Sequence, residues 1–389
     1  TPAEVSQAKV MMGLMVFNLA VTFPFSVFGS IISAYEHFVF QRVLSITRIL
    51  LSTAVMIGVL AIGYKAIAMV IVQTVFSIGT LAANLIYCRY KLHIKVDFGH
   101  FNIPLLKEIL VFSWWNFLGA IVDRIYWGTG QFVLGIYSGT VAVAIFSLAI
   151  TLMNLYMSMS TSFNSVLLPR ITVLATDQRN DQEISDLFIK TGRLQFCILA
   201  LILSGFIVFG KQFIILWAGA EYVDSYLITV IFFAALLCPL IQNVGITILL
   251  ARNQQRFRSL LYLGIAVVSL VLQIAVTRRY GAVGCAVVIG LTLFAGQWVA
   301  MNIYYRKRQR LAIGEFWREI GRMAIVPVIL TVAGCWIISV MGQLSWWSVG
   351  AGICVFLALY LPLFYLFSMN RYERDTLLAP VRLLAGRFR

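Results

Sequence analysis

Few residues in this chain have the types and spacing for chemistry, and those few lie inside apolar segments. Asp123-Arg124 stands about halfway along the stretch FSWWNFLGAIVDRIYWGTGQFVLG. An Arg at the centre of a membrane helix costs about 2.5–3.5 kcal/mol on insertion scales, so it should not face lipid. Two readings follow: an internal ion pair that braces helices, or a charge in a water-filled cavity that meets a phosphate or serves a coupling ion. The planar guanidinium donates two parallel hydrogen bonds, which suits phosphate. Arg124 and Gln131 are seven residues apart and share a helix face, so a polar stripe leads outward from the charge.

A second stripe is cleaner. Ser147, Thr151, Asn154, Ser158, Thr161 and Ser165 recur at spacings of 4, 3, 4, 3 and 4, one helix face that is polar from end to end within an apolar run. Small hydroxylated residues also let helices approach closely, so packing is the competing reading. Packing would be content with Ala and Gly; the Asn in the middle favours a wet surface. Weaker stripes run through Asn18, Thr22, Ser26, Ser30 and through Gln73, Ser77, Thr80, Asn84. Polar faces on three helices imply a hydrophilic lumen, and since Asp123 is the only acid deep in an expected span, hydroxyl-rich ligand and water are its expected contents.

Covalent chemistry has little support. No GxxxxGK[ST], HExxH or GxSxG pattern is present. The six cysteines show no CxxC or metal-like spacing and read as small buried hydrophobes. No catalytic residue, metal or cofactor is assigned.

The elements that must position these side chains follow from composition. Hydrophobic residues make up 61% of the 389 and charged ones only 12%, about half the usual charged share. Apolar runs of about twenty residues span a ~30 Å hydrocarbon core as helices, and lipid permits no other unpaired backbone apart from a closed barrel. Eleven spans are expected, near 10–34, 46–63, 66–87, 109–134, 142–168, 194–210, 225–250, 259–277, 282–304, 323–341 and 346–368. The fold class is an all-α polytopic membrane protein.

A net charge of +15 would suggest nucleic acid in a soluble protein, but its placement excludes that partner here. Of the 30 basic residues, 24 fall in six polar segments on one side of the zigzag, Arg170 and Arg193 among them. The positive-inside rule then puts the C-terminus in the cytoplasm and Thr1 outside. The segment 169–193 reads as a cytoplasmic gate or a solvated linker. Leu311 to Arg322 and Tyr372 to Arg389 read as basic interfacial helices that hold anionic headgroups.

Landmarks recur at a fixed offset. Pro24 precedes Pro239 by 215 residues, and Tyr64 precedes Tyr280 by 216. Each of the two spans that those tyrosines open ends in a basic cluster. The expected organisation is a first lobe at 1–91 with three spans, a second lobe at 92–307 with six, and an interfacial helix, two additional spans and a basic tail at 308–389. The repeat predicts that about three spans, some 120 residues, precede Thr1 in the complete protein. Parallel lobes of this kind hold transporter substrates between them near the midplane.

The residues Gln131-Phe-Val-Leu-Gly135, Gly139-Thr, Ala144-Ile-Phe146-Ser-Leu-Ala, Leu168-Pro-Arg-Ile171 and Ser33-Ala-Tyr-Glu-His-Phe38 make the chain resemble the Wzx-type polysaccharide flippases of the multidrug/oligosaccharidyl-lipid/polysaccharide exporter superfamily. The resemblance implies two six-helix lobes around a central cavity plus two extra helices, with this chain starting at the fourth helix. It implies transport of lipid-linked oligosaccharide, such as an undecaprenyl-diphosphate oligosaccharide, across the inner membrane from the cytoplasmic to the outer leaflet. Membrane lipids and a coupling ion, proton or sodium, are the other expected partners. Many relatives carry an acid near the Gln131 position; Gln131 departs from that, and no charge role is carried to it. The substrate-binding residues expected are Asp123, Arg124, Gln131, Ser147, Thr151, Asn154, Ser158 and Arg170. A multidrug exporter of the same superfamily is the runner-up, although that family generally stops at twelve spans. A membrane glycan-modifying enzyme would want acidic, His or Arg clusters in large outer loops, which the sequence lacks.

Overall fold

Long apolar runs must close their backbone hydrogen bonds internally, and the computed structural model is helical accordingly, with no strand among the residues it describes. Those residues are 2–63, 66–94, 103–176, 181–252, 254–342, 345–370 and 373–374. The helices are α1 (Pro2–Ala34), α2 (Phe38–Ala61), α3 (Ala66–Tyr90), α4 (Ile103–Tyr137), α5 (Gly139–Thr176) and α6 (Asp181–Trp217). They continue with α7 (Asp224–Ile241), α8 (Asn243–Ala251), α9 (Gln255–Leu293), α10 (Met301–Lys307), α11 (Ile313–Met341) and α12 (Trp346–Phe367). A π-helical turn, Phe294–Ala300, joins α9 to α10.

Among the described residues nine stretches are long and apolar enough to cross a membrane. The chain is an all-α, multi-pass membrane protein. Two of the eleven expected spans lie in one 52-residue stretch, Arg256–Lys307, bent at Gly281 (φ 58°, ψ −143°). The expected span at 109–134 is carried by α4.

Two polar segments differ from their expected form. Residues 169–193 are mostly helix: α5 runs on to Thr176 and α6 starts at Asp181, while 177–180 lie outside the described residues. The 37 residues of α6 measure about 55 Å at 1.5 Å per residue, against a ~30 Å core, so a helical extension replaces a solvated linker. Leu311 to Arg322 is not a separate surface helix. From Ile313 it is continuous with α11, and Leu311, Ile313, Phe316, Ile320 and Met323 are buried. Its apolar face finds protein, a tighter partner than headgroups. Of the expected tail helix only Glu373 and Arg374 are described.

The chain divides into two compact units, Thr1–Glu108 and Ile109–Arg389. In the first, α1 and α2 pack on α3. Gln41 Nε2 donates to the Gly29 carbonyl at 2.6 Å, and Phe40 stacks on Tyr87 at 3.8 Å. In the second, α6 packs against α7 and α11, and α7 also meets α5 and α9. Tyr156 of α5 stacks on Phe233 of α7 at 4.2 Å. Gly192 permits the α6 crossing: a Cβ there would run into the Phe316 ring and stand 2.9 Å from the Ile241 carbonyl oxygen.

Candidate functional site

The two polar stripes of the second unit lie on successive helices. α4 turns into α5 at Ser138, with Gly139 in the left-handed region (φ 78°) that only glycine adopts freely. The tight turn makes the helices antiparallel, so residues equidistant from it stand at similar depth. Gln131 and Ser147 meet across the hairpin, Gln131 Nε2 donating to Ser147 Oγ at 3.3 Å. Arg124 lies seven residues before Gln131 and Asn154 seven after Ser147. Both stand about 10 Å further from the turn, two helical turns along.

The buried back of the hairpin fixes its face. Tyr126 donates from its hydroxyl to the Ile289 carbonyl of α9 at 2.9 Å and lies 3.1 Å from Thr292 Oγ1. Gly130 sits against Phe146 and Cys285, where a Cβ would come within 3.0 Å of the Phe146 ring. On α5, Phe146, Ala149, Met153, Tyr156 and Ser160 are buried, and Ser160 Oγ donates to the Leu240 carbonyl of α7 at 3.2 Å. The Ser225 hydroxyl of α7 returns a bond to the Ile145 carbonyl at 2.8 Å. With that face committed to packing, Thr151, Asn154, Ser158 and Thr161 are exposed, as is Arg124, while Gln131 and Ser147 are half-buried.

Most hydroxyls on this face donate to their own helix. Ser147 bonds the Val143 carbonyl at 2.7 Å, Thr151 that of Ser147 at 2.9 Å, and Ser158 that of Leu155 at 2.7 Å. Such back-bonding is how Ser and Thr spend their proton in apolar helices. It leaves oxygen lone pairs outward as acceptors for ligand hydroxyls, while Asn154 and Arg124 supply donors. The side chains of Asp123 and Arg170 lie outside those described, although both positions fall within helices.

In the first unit the weaker stripes are partly self-satisfied. Thr22 Oγ1 donates to Asn18 Oδ1 at 3.1 Å, and Thr80 Oγ1 to the Phe76 carbonyl at 2.8 Å. Asn84 packs beside Gly29, its Oδ1 buried without a hydrogen-bond partner among the described residues.

One cluster escaped the sequence reading. Arg193 counted there as a loop cation, yet it is buried in α6 and binds Glu319 of α11 through Nη1 and Glu373, beyond α12, through Nε. Nη2 adds Glu373 Oε2 at 3.1 Å and the Ser368 carbonyl at 3.2 Å. Its partners stand 126 and 180 residues away, where no local pattern points. The available signal was the face Ile184, Phe188, Gly192, Leu199, without a polar side chain, which carries helical period through the polar segment and into the span.

Known proteins bear on this arrangement. A family model described as polysaccharide biosynthesis protein matches residues 6–227, more than half of the chain. The fold is similar to that of the lipid II flippase MurJ in its inward closed conformation, at 15% identity and a TM-score of 0.59. That alignment covers 83% of this chain and 64% of the flippase, so the chain spans less than two thirds of that protein's length. No curated protein matches the chain.

Proposed function

This chain belongs to the polysaccharide biosynthesis protein family, and from that premise we propose that it flips a lipid-linked oligosaccharide, carried on a polyprenyl diphosphate, from the cytoplasmic to the outer leaflet of the inner membrane. The observation that carries the reading is the α4–α5 hairpin: an exposed mid-helix arginine continuous, through the Gln131–Ser147 bond, with an exposed hydroxyl and amide face. A guanidinium matches the diphosphate, and exchangeable hydrogen bonds to Thr151, Asn154 and Ser158 match sugar hydroxyls. Together they replace part of the water that these groups lose inside the bilayer, while the polyprenyl tail stays in lipid. Asp123 would set the charge beside Arg124, and Arg170, at the basic end of α5, would favour loading from the cytoplasm.

Transport without covalent change fits the groups present. Hydroxyls and amides are poor general acids and bases at neutral pH, and the paired carboxylates that glycoside chemistry commonly uses do not occur in the sequence from Arg124 to Thr176. The two lobes are read as parallel repeats, and transport is coupled to a proton or sodium gradient or driven by the substrate's own gradient. The packing of α1 on α3 and of α7 on α9 supports the repeat.

The test is a proteoliposome assay with labelled lipid-linked oligosaccharide. The expected result is label moving between leaflets and mass spectrometry returning the substrate unchanged. Elongated, trimmed or acylated glycan made by the purified protein alone would defeat the proposal in favour of an enzyme.

A further inference from the structure

At the basic end of the second unit, the start of α9 and the end of α10 form a cleft of about 700 Å³ lined by Gln254, Arg256, Phe257, Tyr304 and Arg308. Within it the Phe257 and Tyr304 rings stack at 4.1 Å and 4°. Gln254 is held by a polar chain, Gln309 Nε2 donating to Gln254 Oε1 and Arg252 Nη1 donating to Gln309 Oε1 at 3.1 Å. Arg256 and Arg308 are exposed, and neither has an ion pair among the described residues. The stretch that holds all the lining residues carries no acid of its own, none occurring between Asp224 and Glu315. Two arginines and a stacked aromatic pair line one cleft, and with no ion pair to either arginine among the described residues they favour an anion from outside.

The membrane side of the cleft shows where that anion would be attached. Phe257, Leu261, Gly264 and Val268 follow at spacings of 4, 3 and 4, so one face of α9 runs from the cleft into the apolar span. Along it lies a groove of about 390 Å³ walled by Leu260, Gly264, Val268, Thr292, Ala295 and Gly296. The π-helical turn supplies the far wall, and its approach needs glycine, because a Cβ on Gly296 would land on the Ile265 side chain. Gly264 faces open space.

We propose that this cleft and groove bind one resident anionic phospholipid, its phosphate between Arg256 and Arg308 and an acyl chain against Gly264. Charge complementarity selects a phosphate headgroup, and the groove selects one with a hydrocarbon chain over a soluble anion. Among the described residues, the cleft offers Gln254 and the Tyr304 hydroxyl beside the arginines for hydrogen bonding, which suits a small headgroup better than an oligosaccharide. Retention of this lipid is independent of whether the chain is a transporter.

The experiment counts phospholipid bound to the purified full chain by mass spectrometry, after equilibration with phosphatidylglycerol, phosphatidylcholine, a polyprenyl diphosphate or inorganic phosphate. Phosphatidylglycerol should be retained over phosphatidylcholine, and inorganic phosphate should not displace it. The double variant Arg256→Ala/Arg308→Ala should lose retention roughly tenfold or more, given two basic contacts at a membrane surface. Arg256→Lys/Arg308→Lys should keep much of it. Gly264→Leu, whose Cβ enters open space, should fill part of the groove and weaken retention with both arginines intact. Arg278→Ala/Arg279→Ala, at the other end of the span, should leave it unchanged. Equal retention by the double alanine variant and the parent overturns the proposal; so does a cleft that holds only the polyprenyl diphosphate, or one that prefers inorganic phosphate.

Discussion

Arg124 and Arg193 are both arginines inside long helices, and their surroundings give them opposite expectations. Arg124 is exposed on α4, so its loss strands no buried partner among the described residues. Arg124→Ala should therefore abolish export in cells while the folded protein is retained, and Arg124→Lys should restore only part, because an ammonium makes no bidentate contact. Normal export by the alanine variant, or loss of folded protein as its only effect, would make Asp123-Arg124 a structural brace. Arg193 has a side chain only 5% exposed and holds Glu373, itself 2% exposed, together with Glu319. Removing one partner of such a cluster leaves buried charge unpaired and costs about 3–5 kcal/mol. Thermal unfolding in detergent should show Arg193→Ala markedly destabilised, and Glu373→Gln less so, since the amide oxygen still accepts from the guanidinium. Equal stability of Arg193→Ala and the parent would mean that α11 and the segment after α12 are held by apolar contacts alone.

Helix α5 carries packing and the candidate ligand surface on opposite faces, which allows the two roles to be separated. Tyr156 is buried, stacks on Phe233 and donates to the Leu199 carbonyl at 3.3 Å. Tyr156→Ala should cost about 3–5 kcal/mol of stability, as large aromatic truncations in cores do. Asn154→Leu on the exposed face should leave the unfolding midpoint close to that of the parent while export falls. A drop in stability for Asn154→Leu comparable to that for Tyr156→Ala would assign the stripe to helix packing. The crossing of α6 with α7 and α11 is tuned by size: Gly192→Ala forces the added methyl against the Phe316 ring and the Ile241 carbonyl, an overpacking that costs about 1–3 kcal/mol. Differential scanning of the purified chain measures it, and an unchanged midpoint would show that the crossing relaxes without penalty.

For the whole molecule, orientation is the property on which the direction of transport depends. With 24 of 30 basic residues on one side of the zigzag, that side is expected in the cytoplasm. Single cysteines at Ala218 and Ala312, in a background lacking the six native cysteines, separate the two sides. An impermeant thiol reagent added to intact cells should label Ala218→Cys and spare Ala312→Cys. The reverse pattern would invert the orientation, and with it the side from which Arg170 was argued to load substrate.

The sequence by itself determined the all-α membrane class, because uncharged runs of twenty residues admit one solution in lipid. It also determined the polar faces of α4 and α5, because a 4-3-4-3 spacing has one geometric meaning on a helix. The Gln131–Ser147 contact was one step beyond reach: each stripe was legible, but their meeting depends on how the turn at Gly139 aligns two helices. Local pattern misjudged the polar segments because polarity was read as solvent exposure. Residues 181–193 and 313–322 have apolar faces that pack on each other's helices, and Phe188 meets Phe316 at 4.9 Å. Only the tertiary structure brings Arg193 to Glu319 and Glu373, or stacks Phe257 on Tyr304 in a cleft that Arg256 and Arg308 also line. Those partners lie 47 to 180 residues apart in the chain, and helix periodicity carries information over turns, not over such separations.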